Sequence, residues 1–377
     1  GLLMGDKSFD LCVGVLGILK SGAAYVPMDP VRFPKERIKF MMEDTSMCLL
    51  VTVGKHKAYV NGLELDDNMI SVEYIDESDN FFSFATLVRS SLATDYAYMI
   101  YTSGTTGKPK GVICNHVGPV NIIKSFFSFV ETKPFDIVGF SFPFIFDPFI
   151  FSLLGSLGLG LSISLDIKQC SLIICTPSIA SALLCDKSNK NVRALLVGGE
   201  ACPQGLDENI FQFCNLYGPT EVSILATSSN SPSTIGRPLP NVLCYVVHPD
   251  DGSLCPPGVS GELWIGGVGV SIGYNNRPEL TAEKFIPDPF NTDSSVEGRV
   301  YKTGDRVRWN SDGELVFLGR FDHQVKVNGY RIELGEIQAE LEKQAGVSGA
   351  VVMVYEEKLV AYVMSAEASS NVVSEES

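Results

Sequence analysis

The sequence has no excess of positive charge and no CxxC pair. Of its 377 residues, 29 are Lys or Arg and 44 are Asp or Glu, so the net charge is −15. This balance argues against nucleic acid, and against an anionic membrane surface, as a general partner. The 10 cysteines are scattered, and the 4 histidines do not cluster with them. Their distribution argues against a zinc site and favours a reduced, cytoplasmic compartment.

Long apolar runs are scarce as well, and no basic leader of the secretory type is visible. One uncharged stretch, residues 148–165, has 18 residues, which is the lower limit for a membrane span. Asp147 and Asp166 flank it, no Lys or Arg anchors it, and Gly and Ser interrupt it. We therefore predict a buried helix that runs into a buried strand, and no membrane-spanning segment.

The composition, with 45% hydrophobic and 19% charged residues, is typical of a globular chain. Short apolar strands alternate with helical segments over residues 137–197, which predicts an α/β fold with buried, mainly parallel strands. Gly, Pro and short strands dominate residues 235–320, which predicts a β-rich subdomain. We expect a large domain of layered α/β subdomains over residues 1–321, and a small, incomplete α+β domain over residues 322–377.

A loop rich in Gly, Thr and Lys follows the apolar strand predicted at residues 98–101. Its glycines allow the backbone to approach a ligand closely, and its hydroxyls and lysines suit phosphate oxygens. It is not a Walker A loop, which has four residues between its first Gly and the Gly-Lys pair and a Ser or Thr after the Lys. Here only two residues separate the first Gly from the Gly-Lys pair, and Pro109 follows the Lys. The candidate phosphate ligands are Thr102, Ser103, Gly104, Thr105, Thr106, Gly107, Lys108 and Lys110.

This segment, TSGTTGKPKG, resembles the phosphate loop of the adenylate-forming superfamily, which includes the amino-acid adenylation domains of nonribosomal peptide synthetases, acyl-CoA ligases and luciferases. Further segments are similar in the expected order: LKSGAAYVPMDPVRFPKERIKFMMEDT, NLYGPTEVS, GELWIGGVGVSIGY, YKTGDRVRW and GRFDHQVKVNGYRIELGEIQAELE. The similarity extends from about residue 8 to residue 345. The form SGAAYVPMDP favours the peptide-synthetase branch.

The resemblance implies a nucleotide site in the motif NLYGPTE. There Tyr217 would offer its ring to adenine and Asn215 its amide to the exocyclic nitrogen. Thr220 would offer a hydroxyl to the α-phosphate, and Glu221 is a hard oxygen ligand suited to Mg²⁺. Thr220, Glu221 and Lys108 are the implied catalytic residues. Without the resemblance, YGPTE is equally compatible with a proline turn followed by a helix cap.

Two later residues complete the implied nucleotide site. Asp305 would accept both ribose hydroxyls, and Arg320 would meet the ribose or the leaving phosphate. Taken alone, Asp305 is compatible with a simple turn and Arg320 with a surface cation. The motif GGVGVSIGY also contains glycines, but its GxGxxxG spacing does not fit a dinucleotide loop, so we interpret it as structural.

Asp147 lies in PFIFDPFIF, the most apolar part of the sequence. A buried carboxylate needs a compensating partner or becomes protonated, and Lys133 is the only Lys or Arg within 20 residues of it. The resemblance matches Asp147 to the position that grips the α-ammonium group of an amino acid. The alternative is a cap for the helix predicted to begin at Pro148, and the two roles are compatible.

The resemblance also implies a substrate pocket whose members are apolar or small, so the selected side chain is predicted to be hydrophobic. The pocket residues are Phe151, Cys175, Leu196, Gly198, Leu216, Ile224 and Leu225. In the family, a glycine at the position of Gly199 lets the nucleotide lie against the backbone.

The implied enzyme is an adenylate-forming ligase that uses ATP and Mg²⁺. An amino-acid carboxylate would attack the α-phosphorus and expel pyrophosphate, and the phosphopantetheine thiol of a partner carrier domain would then displace AMP. Asp322 matches the hinge about which the small domain turns. The family's first core motif and its last, which carries a lysine, are not found, so we expect a truncated chain with an impaired first step.

Two alternatives remain open at this point. One is an acyl- or aryl-CoA ligase on the same scaffold, in which Asp147 need not meet an amine. The other is a catalytically impaired fragment that binds a nucleotide without turning it over.

Overall fold

The structure, a computed structural model, describes residues 1–66, 68–77, 91–104, 108–185, 191–206, 212–291, 298–322, 324–327, 330–355 and 358–365. Within these residues the chain builds several β-sheets with helices packed against them. The expected α/β class is confirmed.

The N-terminal part is a small parallel sheet with helical connections. Its elements are β1 (Leu2–Leu3), α1 (Phe9–Lys20), β2 (Pro27–Met28), α2 (Lys35–Asp44), β3 (Leu49–Thr52), α3 (Lys57–Asn61) and β4 (Ser71–Tyr74). The strand order is β2-β1-β3-β4. α1 begins where the Ser8 side chain accepts the Leu11 N–H, and it ends just before Gly22, whose φ of +81° interrupts the helix.

Two antiparallel strands, β5 (Tyr96–Thr102) and β6 (Lys110–Asn115), stand on either side of the Gly/Thr/Lys loop. A Cβ atom at Gly104 would collide with the Lys108 carbonyl oxygen, so the tight return of the chain requires glycine. Of the predicted loop ligands, Thr105, Thr106 and Gly107 lie outside the described residues.

The largest sheet has seven described strands, and several of its residues belong to the main hydrophobic core. The elements in chain order are α4 (Val117–Phe129), β7 (Ile137–Phe140), α5 (Pro148–Gly158), β8 (Ser162–Ser164), β9 (Leu172–Cys175), α6 (Pro177–Cys185), β10 (Ala194–Gly198), β11 (Gln212–Tyr217), β12 (Thr227–Ser229) and β13 (Arg237–Pro238). The order is β13-β12-β11-β10-β9-β7-β8, parallel from β8 to β11 and antiparallel beyond. The buried strands β9 and β10 match the predicted pattern.

The uncharged stretch 148–165 forms α5 and β8, as the sequence predicts. α5 is buried along much of its length, but the β8 residues are partly or fully exposed. The prediction of a buried strand is wrong here because β8 is the edge strand of its sheet. Among the described residues, no helix combines the length and apolar character that a bilayer crossing requires.

Antiparallel strands dominate the region that the composition marks as β-rich. The elements are β14 (Val242–Val247), β15 (Gly261–Gly267), β16 (Gly273–Tyr274), α7 (Pro278–Lys284), β17 (Phe285–Pro287), β18 (Arg299–Trp309) and β19 (Leu315–Arg320). The sheet order is β14-β15-β18-β17, and β19 pairs with β18. The short strand β16 instead pairs with β6, which connects this region to the Gly/Thr/Lys loop.

Two hairpins and a helix make up the last described part: β20 (Gln324–Val327), β21 (Tyr330–Glu333), α8 (Leu334–Glu342), β22 (Val347–Tyr355) and β23 (Lys358–Ser365). The division into domains at residues 321 and 322 stays a prediction.

Candidate functional site

A cavity of about 350 Å³ lies where β10 and β11 end side by side. Parallel strands present their carboxyl ends at one edge of a sheet, and that edge is the usual place for a ligand in an open α/β fold. The sequence-predicted residues that line the cavity are Thr102, Ser103, Asp147, Phe151, Gly198, Gly199, Leu216, Tyr217, Thr220, Ile224, Leu225, Asp305 and Arg320.

Tyr217, Asp305 and Arg320 form a hydrogen-bonded group, named here the Asp305 cluster. Arg320 lies opposite Asp305 on the neighbouring strand and donates to one carboxylate oxygen, while the Tyr217 hydroxyl donates to the other. Arg320 also donates to both oxygens of Asp322, at 2.6 and 2.7 Å, and to the Thr303 carbonyl at 3.0 Å. Burial, followed by the charge of Asp305, raises the pKa of Tyr217 well above its ordinary value, so the hydroxyl remains a donor.

Gly304 allows the Arg320 side chain to reach Asp305. Its φ is +75°, and a Cβ atom would stand only 2.8 Å from Arg320 Nη2. Any larger residue would therefore meet both backbone strain and a collision with the guanidinium. The glycine of the TGD sequence therefore suits both the local backbone and the position of the Arg320 guanidinium.

A second part of the lining, named here the Asp147 wall, comes from the segment before and within α5. It consists of Phe142, Ile145, Phe146, Asp147, Pro148 and Phe151. Asp147 is 7% exposed. It occupies the N-cap position of α5, yet its side chain makes no hydrogen bond to the first-turn amides, all of which the structure describes. The capping alternative is therefore not realised.

The surroundings of Asp147 include two buried tyrosines. Burial, followed by the charge of Asp147, raises the pKa of Tyr25. Tyr98 shifts in the same direction, through burial first and then Cys114 and Asp147. The charge of Asp147 therefore opposes ionisation of both hydroxyls.

The turn after β11 carries Thr220 to the cavity. Thr220–Val222 form a short 3₁₀ turn, and Ser223 (φ +59°) and Ile224 (φ +83°) follow in the left-handed region. A positive φ is rare for a β-branched residue and costs conformational energy. Ile224, which lines the cavity, is thus held in a strained conformation.

Lys110 and Glu221 are placed together, but neither lines the cavity as far as the described lining shows. Glu221 is 0% exposed and Lys110 is 7% exposed. Lys110 Nζ lies 3.8 Å from Glu221 Oε1, and the Tyr274 hydroxyl donates to the same oxygen at 2.9 Å. Lys110 thus compensates a buried carboxylate, whereas Lys108 is exposed on the loop.

Three other predicted residues have different surroundings from those that the sequence implies. The Asn215 amide donates to the Thr234 carbonyl at 2.8 Å, so it is engaged within the protein. Cys175 packs in a separate core cluster, and its neighbour Ile174 lines the cavity instead, because side chains alternate along β9. Leu196 belongs to the same core cluster as Ile174 but does not reach the described lining.

Sequence reasoning missed three charged residues of the lining: Arg37 in α2, Glu333 at the end of β21 and Glu336 in α8. Burial raises the pKa of the Glu336 carboxyl, while Arg37 and a hydrogen bond from the Gly104 N–H oppose that shift. Arg37 also stacks on the Phe33 ring, 4.6 Å from its centroid. The only sequence signal was a cation, Arg37, near the start of a helix that opens with proline.

This arrangement is accompanied by a family match. The protein-family model described as "AMP-binding enzyme" matches residues 2–275, which is most of the chain. The chain belongs to the AMP-binding enzyme family. The resemblance on which the sequence interpretation rests is therefore confirmed.

Individual relatives of this AMP-binding chain include gramicidin S synthase 2 of Aneurinibacillus migulanus, which is 39% identical over 97% of this chain. The chain spans 9% of the length of that relative. A solved nonribosomal peptide synthetase protein with adenylation and PCP domains superposes with a TM-score of 0.83, at 23% identity, over 97% of this chain and 78% of that chain. A four-domain nonribosomal peptide synthetase, bound to AMP and glycine, superposes with a TM-score of 0.72, at 31% identity, over 97% of this chain and 29% of that chain.

Proposed function

We propose that this chain activates the carboxylate of an amino acid as its AMP anhydride. The observation that carries the proposal is a single cavity lined by both Asp147 and the Asp305 cluster. One part of that lining suits a nucleoside, and the other suits an ammonium group with an apolar substituent. The names of the relatives, which are peptide synthetases, support the same class of substrate.

In this proposal the nucleotide lies against the end of β11. Tyr217 supplies a flat ring for adenine, and Asp305 accepts from the ribose hydroxyls. Arg320, which already pairs with Asp305, adds positive charge beside the ribose or the leaving phosphate. Thr102, Ser103 and Thr220 line the cavity where the phosphates would follow.

The amino acid lies against the Asp147 wall. Asp147 accepts from the α-ammonium group, and this charge-assisted contact orients the substrate carboxylate toward the α-phosphorus. Phe151, Ile174, Leu216, Ile224 and Leu225 supply an apolar lining for the side chain. We therefore propose a hydrophobic amino acid as the substrate.

The residues near Thr220 do not fit a magnesium ion that is shared with ATP, because the Glu221 carboxylate is 0% exposed and lies outside the described lining of the cavity. No group of three or more His, Cys, Asp or Glu suited to a metal exists among the described residues. Mg²⁺ bound with a nucleotide needs one or two carboxylates, with phosphate and water oxygens completing its shell. Glu221, the carboxylate next to cavity-lining Thr220, is instead engaged by Lys110 and by the Tyr274 hydroxyl.

The chemistry then needs no protein nucleophile. A carboxylate oxygen bonds to the α-phosphorus as the bond to the bridging oxygen breaks, and pyrophosphate leaves with that electron pair. A phosphopantetheine thiol of a carrier domain then attacks the acyl carbon, loses its proton and displaces AMP. The protein contributes alignment and charge stabilisation. Asp322 is the proposed hinge between the two steps, and the cytoplasm is the proposed compartment.

The direct test is amino-acid-dependent exchange of labelled pyrophosphate into ATP, measured with each of the standard amino acids. We expect exchange with hydrophobic amino acids such as Leu, Val or Phe. Exchange only with fatty or aryl acids would favour an acyl-CoA ligase. Binding of ATP without any exchange would leave a nucleotide-binding fragment.

A further inference from the structure

Arg37 is a cation of the cavity lining that has no part in the proposed function. It lies in the first turn of α2, and its guanidinium carbon stands 4.6 Å from the centroid of the Phe33 ring, which also lines the cavity. Its Nε is buried and has no hydrogen-bond partner among the described residues. Arginine stays protonated and has only donors, so a buried guanidinium nitrogen of this kind costs free energy until an acceptor reaches it.

The stability of α2 does not account for Arg37 at this position. The first turn of a helix carries partial positive charge, so an acidic residue such as Glu36 is favourable there and a cation is not. Burial lowers the pKa of the Arg37 guanidinium, while the charge of Glu336 opposes that shift. Both the helix dipole and burial therefore act against the cation, and the cavity has to supply the compensation.

The charges of the described lining favour Arg37 as the cation for an anionic ligand. Its two arginines, Arg37 and Arg320, face four carboxylates, which are those of Asp147, Asp305, Glu333 and Glu336. Arg320 already donates to the carboxylates of Asp305 and Asp322. A triphosphate would bring further negative charge into this cavity. Arg37 is the remaining arginine of the described lining that could offset it.

Glu336 relates Arg37 to the Gly/Thr/Lys loop. Burial raises the pKa of the Glu336 carboxyl, and the charge of Arg37, together with a hydrogen bond from the Gly104 N–H, opposes that shift. Gly104 follows Thr102 and Ser103, which line the cavity. An arginine and a backbone N–H of the loop thus act on one carboxylate. These two kinds of donor are also the ones that bind phosphate.

We propose that Arg37 binds the β- and γ-phosphates of ATP, and that the Glu336 carboxylate competes with them for the Gly104 N–H. The inference rests on the proposed function, in which the triphosphate lies along the Gly/Thr/Lys loop. The planar guanidinium can donate to two phosphate oxygens at once. The same contact would stabilise the negative charge of the pyrophosphate as it leaves.

The test compares the Kd of ATP with the Kd of AMP, both measured by calorimetry on the wild-type chain and on Arg37→Gln. AMP shares the adenine and the ribose but lacks the β- and γ-phosphates. For Arg37→Gln we expect the Kd of ATP to rise about 10-fold, as is typical when hydrogen bonds to a charged group are lost. The Kd of AMP should not change. Arg32→Gln is the control, since Arg32 is an exposed arginine that pairs with Asp29 at 3.0 Å, and it should change neither Kd.

A change of opposite sign is expected from α8. Glu336→Gln removes the negative charge that competes with phosphate, so the Kd of ATP should fall about 3-fold while the Kd of AMP stays the same. Glu340→Gln is the control, because it removes an exposed carboxylate one turn later, where Glu340 pairs with Lys343. A purely structural contact between Arg37 and Glu336 would not give opposite changes for its two members.

Three outcomes would overturn the inference alone: an unchanged Kd of ATP in Arg37→Gln, an equal rise in the Kd of ATP and of AMP in that variant, or weaker ATP binding in Glu336→Gln. A wild-type chain that binds neither ATP nor AMP would overturn the proposed function, and the inference with it.

Discussion

The Asp305 cluster and the Asp147 wall line the same cavity but differ in how their carboxylates are held. Asp305 is fixed by a facing strand and by a tyrosine at the end of another sheet. Asp147 stands at the start of a helix that it does not cap, between phenylalanine and isoleucine side chains. Precise hydrogen bonding suits a ligand shared by a whole family, whereas an apolar wall with one carboxylate suits a variable side chain on a constant ammonium group.

The largest effect on the exchange reaction should follow from removal of the Asp147 carboxylate. Asp147→Ala should lower amino-acid-dependent exchange by about 100-fold or more, because a buried charge pair with the ammonium group is lost. The Kd of ATP should not change. Asp166→Ala is the control, since Asp166 is the exposed aspartate at the other end of the uncharged stretch. Parallel loss of ATP binding in Asp147→Ala would erase the distinction between the two regions.

Removal of the Asp305 carboxylate should instead weaken nucleotide binding. Asp305→Ala should raise the Kd of ATP by about 10- to 100-fold, through lost hydrogen bonds to a charged acceptor. The KM of the amino acid should stay close to that of the wild type. Asp288→Ala, which removes another tyrosine-bound carboxylate of the β-rich region, serves as the control. A changed amino-acid KM with unchanged ATP binding would reverse the assignment.

A smaller effect is expected when a side chain of the Asp147 wall is shortened, which enlarges the cavity. Phe151→Ala should shift the preference among hydrophobic amino acids toward larger side chains by about 10-fold, as is common for pocket substitutions. Since Phe151 is buried, a loss of about 3 kcal/mol in unfolding free energy should accompany the shift. Competition between pairs of amino acids in the exchange reaction measures the first quantity, and denaturant unfolding the second. An unaltered ranking would mean that the side chain lies elsewhere.

The smallest effect should come from the tyrosine hydroxyl. Tyr217→Phe keeps the ring for adenine but removes the donor to Asp305, so the Kd of ATP should rise by about 3-fold. Titration with ATP measures this change directly. A loss as large as that of Asp305→Ala would show that the hydroxyl, and not the ring, dominates the contribution of Tyr217.

Local motifs were sufficient to predict Asp147, Tyr217, Asp305 and Arg320 in the site, since each lies in a segment that resembles the family. Residues whose placement depends on how strands pair in a sheet were harder to predict. Ile174 replaces Cys175 in the lining because a strand's alternation is fixed by its register in the sheet.

Charged residues from distant elements were the hardest to predict. Arg37 and Glu336 reach the cavity from α2 and α8, which only the tertiary fold brings together. The loop sequence predicts that Lys110 contacts phosphate, yet the structure buries it against Glu221. In each case a long-range packing partner, which no local pattern encodes, decides the surroundings of the charge.

The most direct test of the account is a crystal structure with a non-hydrolysable analogue of an aminoacyl-adenylate. The account predicts adenine against the Tyr217 ring, the ribose hydroxyls at Asp305, and the α-ammonium group within hydrogen-bonding distance of Asp147. An analogue bound outside this cavity, or bound in the reverse direction with its ammonium group at Asp305, would contradict it.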